Sequence, residues 1–361
     1  MVRPTQFLLP NSSPDNTTTP ISQQSIAREG TIAGVTKAFT EKDSAYGELA
    51  LTNSTNSFGD STLKNLDWQC ERPVELLKNL KRLTAPNPGV MTGPGTNTYI
   101  LGTELTGYIV IDPGPLDTDH SAGIFKACKG DIRMIVCTHS HADHSPGALP
   151  LQRLCENGSR SKPPILGLAS QAHAKPSAQF KPDRELMDGE CLELSYANVD
   201  DPSKSQTHTL EVVFTPGHAA NHVCFVLKED SLLFSGDHVL NGSTTIVDPP
   251  DGNMGQYLAS LKRLEQLCQA HKIEFIFPAH GFVLGNYSGR PRSAVEVIQN
   301  IYDHRMKRES KILKVVQQDP SGSLDDWVKK AYDDVPESVW PIAKRSLWAH
   351  VENLQELGLI K

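Results

Sequence analysis

The sequence lacks several features that would settle its class at once. No CxxC pair occurs, and the seven cysteines stand apart at 70, 128, 137, 155, 191, 224 and 268. An odd number of scattered thiols in a 361-residue chain excludes a small disulfide scaffold and favours a reducing compartment. No apolar run approaches the roughly 18 residues of a membrane span. Net positive charge is also missing: 35 basic residues face 42 acidic ones, a formal charge of −7. That balance argues against a protein that coats nucleic acid, while leaving room for a local basic patch. No internal repeat is present. The FLLP stretch (7–10) is too short for the apolar core of a secretory signal, and acidic residues outnumber Arg3 and Arg28 in the region a transit peptide would occupy. A cytoplasmic location is expected.

What is present divides the chain in three. Ser, Thr, Asn and Gln supply 23 of the first 60 residues, too little apolar surface to offset the entropy of ordering them. Residues 1–70 therefore read as a polar, loosely held extension. From residue 71 to 289 short β-rich runs (98–101, 108–112, 132–137, 164–168, 210–214, 222–228, 231–235, 273–277) alternate with helical patterns at 119–129 and 254–270, as in an α/β sandwich. Residues 290–361 carry three helical patterns, 292–317, 323–332 and 336–357, and read as a small helical domain. With twelve basic against eleven acidic residues that part is nearly neutral, so the acidity belongs to the rest.

The chemistry concentrates at strand ends. Directly after the apolar run 132–137 comes Thr138-His139-Ser140-His141-Ala142-Asp143-His144. Three imidazoles and a carboxylate within six residues are donors that suit zinc, manganese or iron. Further short polar motifs end other strands: Asp112-Pro113-Gly114, Thr215-Pro216-Gly217-His218, Ser235-Gly236-Asp237-His238 and Pro278-Ala279-His280-Gly281. Each alone would mean a turn; their order, each after an apolar run, is specific.

With these motifs the chain resembles the metallo-β-lactamase superfamily of dinuclear metal hydrolases, over roughly residues 83–285. The resemblance implies an αββα sandwich with its site at one edge of the paired sheets, followed by a winged-helix-like C-terminal domain. It implies that His139, His141 and His218 hold one metal, that Asp143, His144 and His280 hold a second, and that Asp237 bridges them. Asp112 resembles the motif's non-ligand carboxylate, which implies that it orients the ligand histidines without binding metal. The resemblance further implies two zinc ions, with iron or manganese as alternatives, that activate water for attack on a carbonyl or phosphoryl group, Asp143 holding the water's proton.

Within the superfamily, His144 and the presence of Asp rather than Cys at 237 set the chain apart from the main class of bacterial zinc β-lactamases. It is more similar to glyoxalase II-type thioesterases and RNase Z-type nucleases. The lead-in GPGTNTYIL (93–101), PGHAANHVCF (217–225), SGDHVLNGSTT (235–245) and the C-terminal stretch 341–360 resemble the lactamase-β-like 2 group, which includes an endoribonuclease. Two hydrolytic substrates stay open: single-stranded RNA, and a small ester or thioester. An oxidative alternative is a persulfide dioxygenase, with one iron held by His139, His218 and Asp237. Its second donor set would then be idle. A non-catalytic scaffold would have lost ligands, and none is lost.

Other residues carry weaker signals. His222, four after His218, is a candidate substrate contact or a histidine satisfied by backbone. Asn97 in the Gly-rich lead-in, and Ser243 and Thr244 after the bridging Asp237, are candidate substrate contacts, against the alternative of ordinary polar loops. His238 reads as structural. Arg305, Lys307, Arg308, Lys311 and Lys314 recur at helical spacing and form either a phosphate-tracking face or a solvated helix face. Trp327, Trp340 and Trp348 read as the core of the C-terminal domain.

Overall fold

The computed structural model describes residues 72–361 except 159–161, 173, 242–243, 288–289 and 292. The polar extension expected over 1–70, and the candidate Ser243, lie outside the described residues.

Among the described residues two seven-stranded sheets form. The first runs in chain order through β1 (Val74–Leu77), β2 (Leu80–Thr84), β3 (Asn97–Thr103), β4 (Gly107–Ile111), β5 (Ile132–Val136), β6 (Ile165–Gly167) and β7 (Arg184–Glu185). The second runs through β8 (Cys191–Tyr196), β9 (Gln206–Phe214), β10 (Val223–Leu227), β11 (Leu232–Gly236), β12 (Phe275–Pro278), β13 (Leu284–Tyr287) and β14 (Arg290–Pro291). Strands β4 to β7 are parallel, as are β11 and β12; the remaining pairs are antiparallel.

The period of two along each strand builds the layers. Tyr99, Leu101, Ile109 and Ile111 point inward and meet Val223, Phe225, Phe234 and Phe277 in the core between the sheets. Their neighbours Ile100, Tyr108 and Val110 point outward beneath Ile124 and Leu151, carried by α1 (Thr118–Ala127) and α2 (Ala148–Asn157). On the other side Cys224, Val226, Leu233 and Ile276 pack under Leu261, Leu264 and Val297, carried by α3 (Met254–Ala270) and α4 (Ala294–Gln318). Central strands covered on both faces need apolar residues at every position, which is why these runs are continuously apolar. The architecture is an αββα sandwich with a C-terminal winged-helix-like helical part.

The far half of α4 leaves the sandwich. Ile312, Val315 and Val316 join Val328 of α5 (Leu324–Ala331) and Leu347 and Leu354 of α6 (Trp340–Glu356) in a separate core. Capping boxes start α4 and α5, Ser293 with Glu296 and Ser323 with Asp326. Trp327 and Trp340 pack against this core, but Trp348 is 39% exposed rather than part of it. Helix α6 touches the sandwich through Ala349.

Three of the five residues of the basic run, Arg305, Arg308 and Lys311, are turned to partners within the protein, while Lys307 and Lys314 are exposed. Arg305 and Arg308 are buried. Arg305 donates to the Thr245 carbonyl, and Arg308 donates to the Ala331 carbonyl and pairs with both Asp334 oxygens at 2.8 Å. Lys311 pairs with Asp333. These cations are engaged within the protein.

Candidate metal centre

Strand ends of both sheets meet at one edge. The parallel pairing of β4 with β5 and of β11 with β12 puts the C-terminal ends of each pair side by side. Antiparallel β10 between β9 and β11 brings the end of β9 to the same edge. The sheets are laced together there by Val223 N–H donating to the Thr138 carbonyl at 2.8 Å and by Asn97 N–H donating to the Ala279 carbonyl at 2.7 Å. The loops leaving these strands carry Asp112, the 138–144 segment, His218, Asp237 and His280.

Two groups of donor atoms converge. In the first, His141 Nδ1 lies 3.0 Å from His139 Nε2 and 3.1 Å from His218 Nε2, and His218 Nε2 lies 3.4 Å from Asp237 Oδ2. In the second, Asp143 Oδ2 lies 3.4 Å from His144 Nε2 and 3.2 Å from His280 Nε2. Asp237 Oδ1 completes it, 3.5 Å from His144 Nε2 and 3.3 Å from His280 Nε2. Atoms bound about 2.0–2.1 Å from one ion in a tetrahedral shell lie roughly 3.3 Å apart, the spacing seen in both groups. The two Asp237 oxygens serve different groups, so its carboxylate joins them.

The far side of each imidazole fixes its tautomer. His218 Nδ1 donates to the Ile246 carbonyl at 2.6 Å, and His280 Nδ1 donates to the Gly95 carbonyl at 3.1 Å. His144 Nδ1 lies 2.9 Å from Asp112 Oδ2. Thr138 Oγ1 donates to Asp112 at 2.8 Å and so accepts from His139 Nδ1 at 3.0 Å. His141 is turned the other way, with Nε2 3.5 Å from Asp251 Oδ2. Four imidazoles therefore present Nε2 to the centre and one presents Nδ1. Asp112 also accepts from Thr138 N–H at 2.7 Å, and it holds a left-handed backbone conformation (φ 50°) that side-chain-bearing residues adopt at a cost. It organises a ligand in each group.

Electrostatics differ between the groups. Burial disfavours charge on His139 and His218 and lowers His218 to about 4. Burial also opposes a proton on His144 and His280, but the nearby carboxylates outweigh it, raising His144 well above the ordinary range and His280 to about 10. Burial pushes Asp143 and Asp237 upward, but His144 and His280 outweigh it and hold both carboxyls well below their usual values. His144 Nε2 and Asp237 Oδ1 are buried without a hydrogen-bond partner. Buried ligand-type atoms left without hydrogen-bond partners, converging at these spacings, fit cation binding.

The structure brings His139, His141, Asp143, His144, His218, Asp237 and His280 together, with Asp112 behind them. Two of the expected substrate contacts, Asn97 and His222, lie buried rather than at the rim. Asn97 is fully buried in β3, where its amide donates to the Pro278 and Gly281 carbonyls at 3.0 and 2.9 Å and clasps the loop bearing His280. His222 is also fully buried: its Nε2 accepts from Asp237 N–H at 3.1 Å, so Nδ1 carries the proton and donates to Thr215 Oγ1 at 2.8 Å. Gly236 must lack a side chain here, since a Cβ would lie 2.6 Å from His222 Nε2. Thr244 is exposed. His238 packs on the Tyr257 ring. Sequence reasoning missed Asp251 and the carbonyls of Gly95 and Ile246; a left-handed Gly95 (φ 140°) in the lead-in was the one local sign.

Comparison with known proteins identifies the fold family. The family model described as the metallo-beta-lactamase superfamily matches residues 91–280, and that of the beta-lactamase associated winged helix domain matches residues 323–361. The beta-lactamase-like protein 2 homolog of Drosophila melanogaster is 29% identical over 300 residues, spanning 80% of this chain and 91% of that protein. An atrochrysone carboxyl ACP thioesterase of Aspergillus chevalieri is 29% identical over 276 residues, 72% of this chain and 74% of that one. A solved beta-lactamase domain protein from Burkholderia ambifaria shares the fold with a TM-score of 0.60 at 20% identity, over 80% of this chain and 89% of the other. The chain belongs to the metallo-beta-lactamase superfamily and is a metal-dependent hydrolase of that fold.

Proposed function

We propose that the protein is a dinuclear zinc hydrolase acting on an acyl thioester. The observation that carries the two-metal reading is the reach of the two Asp237 oxygens to different donors, Oδ2 to His218 and Oδ1 to His144 and His280, with His144 Nε2 and Asp237 Oδ1 buried and without a hydrogen-bond partner. Two divalent ions held by these residues would supply a water activated for attack near neutral pH. Nitrogen and carboxylate donors without thiolate suit zinc, with iron and manganese as the alternatives. Asp143 is the more open of the two carboxylate donors, its side chain 27% exposed against 11% for Asp237, and it is placed to hold the proton of an attacking water. Asp112, His222 and Asn97 keep the donors in register rather than meeting substrate. A single-iron dioxygenase would leave Asp143, His144 and His280 converging on nothing.

The choice of thioester over RNA rests on charge and surroundings. The helix that could have tracked phosphates spends Arg305, Arg308 and Lys311 on internal partners. The loop leading to Gly95, whose carbonyl holds His280, exposes Val90 and Met91 instead. Apolar side chains there suit an acyl chain better than a polyanion. Relatives named as acyl carrier protein thioesterases support the same direction. No described helix is long and apolar enough to cross a membrane. The described cysteines are free, in keeping with a reducing setting such as the cytoplasm. The test is one metal-loaded preparation offered acyl thioesters and single-stranded RNA side by side. Thioester turnover with RNA untouched is the expected result, and RNA cleavage alone would overturn the substrate reading.

A further inference from the structure

One loop braces three of the four donors of the first group. Thr245 Oγ1 donates to the Asp237 carbonyl at 2.7 Å. The next residue, Ile246, supplies the carbonyl that holds His218. Asp251 Oδ2 faces His141 Nε2 at 3.5 Å, while Asp251 Oδ1 accepts from Ala220 N–H at 3.2 Å. The second group is braced from elsewhere, His144 by Asp112 and His280 by the Gly95 carbonyl.

That loop is gripped on its far side by the C-terminal helices. Arg305 of α4 donates to the Thr245 carbonyl, and its guanidinium lies 5.4 Å from the centre of the Tyr257 ring. Arg345 of α6 pairs with Asp248, which Lys175 also reaches at 2.8 Å. Residue 245 is thus held through its side chain by the site and through its carbonyl by α4. A chain pinned at 245 and again at 248 leaves the intervening 246 carbonyl little freedom of position.

We propose that Arg305 and Arg345 are positioning residues through which the C-terminal helices set the geometry of the first donor group, reaching the second group only through the shared Asp237. The inference rests on the two-metal reading above. A buried arginine that merely satisfied a carbonyl would affect folding alone. A positioning arginine affects the affinity of one ion more than that of the other.

The test uses the full chain, stripped of metal and titrated with zinc at pH 7 against a chromophoric chelator. Arg305→Met and Arg345→Met are expected to weaken one of two zinc equivalents by about tenfold or more, the usual cost of losing a partner behind the ligands. Arg305→Lys, which keeps a donor, is expected to recover most of that loss. Placing the arginine variants in a His280→Ala background, which removes a second-group donor, identifies the site: the remaining ion should show the same weakening. Unchanged zinc affinity in both methionine variants overturns the proposal, as does equal weakening of both equivalents. Arg345 has a side chain 38% exposed, so its variant remains informative if Arg305→Met does not fold. A wild-type chain that takes one zinc equivalent overturns the dinuclear reading instead. Weakening of that single ion by the arginine variants would still uphold the role of the loop.

Discussion

The backbone N–H of Asp237 donates to His222 Nε2 at 3.1 Å, so the carboxylate shared by the two donor groups hangs from an imidazole that itself holds no metal. His222 in turn donates to Thr215 at the end of β9. The bridge between the groups is therefore set by a neighbouring strand as well as by its own.

His222→Ala would leave the Asp237 N–H buried without an acceptor, which costs about 1–3 kcal/mol of stability. It would also let the bridging carboxylate drift, weakening zinc binding by about 10–100-fold. Denaturant unfolding and zinc competition check the two effects. A rise in KM with unchanged zinc affinity would instead mark His222 as a substrate contact.

Asp112→Asn tests the brace behind both groups. The carboxylate accepts from Thr138 N–H, Thr138 Oγ1 and His144 Nδ1 at 2.7, 2.8 and 2.9 Å. An amide of the same shape must turn its NH2 toward at least one of these donors. We expect a folded protein whose zinc affinity is lower by about 10–100-fold, read by competition titration. Wild-type affinity in this variant would show that Asp112 does not orient the ligands.

How much of this was legible beforehand depended on sequence distance. His139, His141, Asp143 and His144 lie within one turn after an apolar run, and His218, Asp237 and His280 each end another such run. Local order was enough to read them. Asp251 reaches His141 across more than a hundred residues from a loop with no motif, and periodicity carries no trace of such a contact. Asn97 looked like a rim residue because it follows a Gly-rich turn, yet β3 has already begun there and its amide is used on carbonyls of the opposite sheet. Edge strand β8 was missed because its buried positions alternate with exposed ones and its apolar signal is half that of a central strand. The basic run misled for a related reason. Helical spacing reveals that residues share a face, but not whether that face meets solvent or the Thr245 carbonyl and Asp334.

Arg308→Glu follows from that last point. Arg308 is buried and bidentate to Asp334, and the replacement sets two carboxylates together. The expected outcome is a lower midpoint of thermal unfolding with no change in RNA affinity; selective loss of RNA binding in a fully stable variant would restore the phosphate-tracking reading. The same pair gives a pH dependence. The Arg308 hydrogen bond, its largest cause, lowers the Asp334 carboxyl to about 2. A depressed carboxyl pKa contributes stability above the ordinary range near about 3.9 and loses it as pH falls through the folded value. Wild type should therefore lose more stability than Asp334→Asn between about pH 4 and 2. The difference will be modest because the Asp334 side chain is half exposed.

Asp143 offers the most direct view of the chemistry. Its carboxylate lies 3.4 Å from His144 Nε2 and 3.2 Å from His280 Nε2, and it is more exposed than Asp237. It is thus both a donor and the more accessible of the two carboxylates. Asp143→Asn keeps an oxygen for the ion but cannot take up a proton at pH 7. With zinc saturating, turnover should fall by about 100- to 10,000-fold, the span lost with a general base. Asp143→Ala removes the oxygen as well, so second-site zinc affinity should fall along with turnover. Circular dichroism should show both variants folded, since the side chain lies at the cleft rather than in a core. The comparison separates two roles that a single alanine substitution merges. Slow turnover in Asp143→Asn with two zinc ions bound assigns the proton to this residue. Wild-type turnover under the same conditions would assign it elsewhere and leave Asp143 a ligand alone.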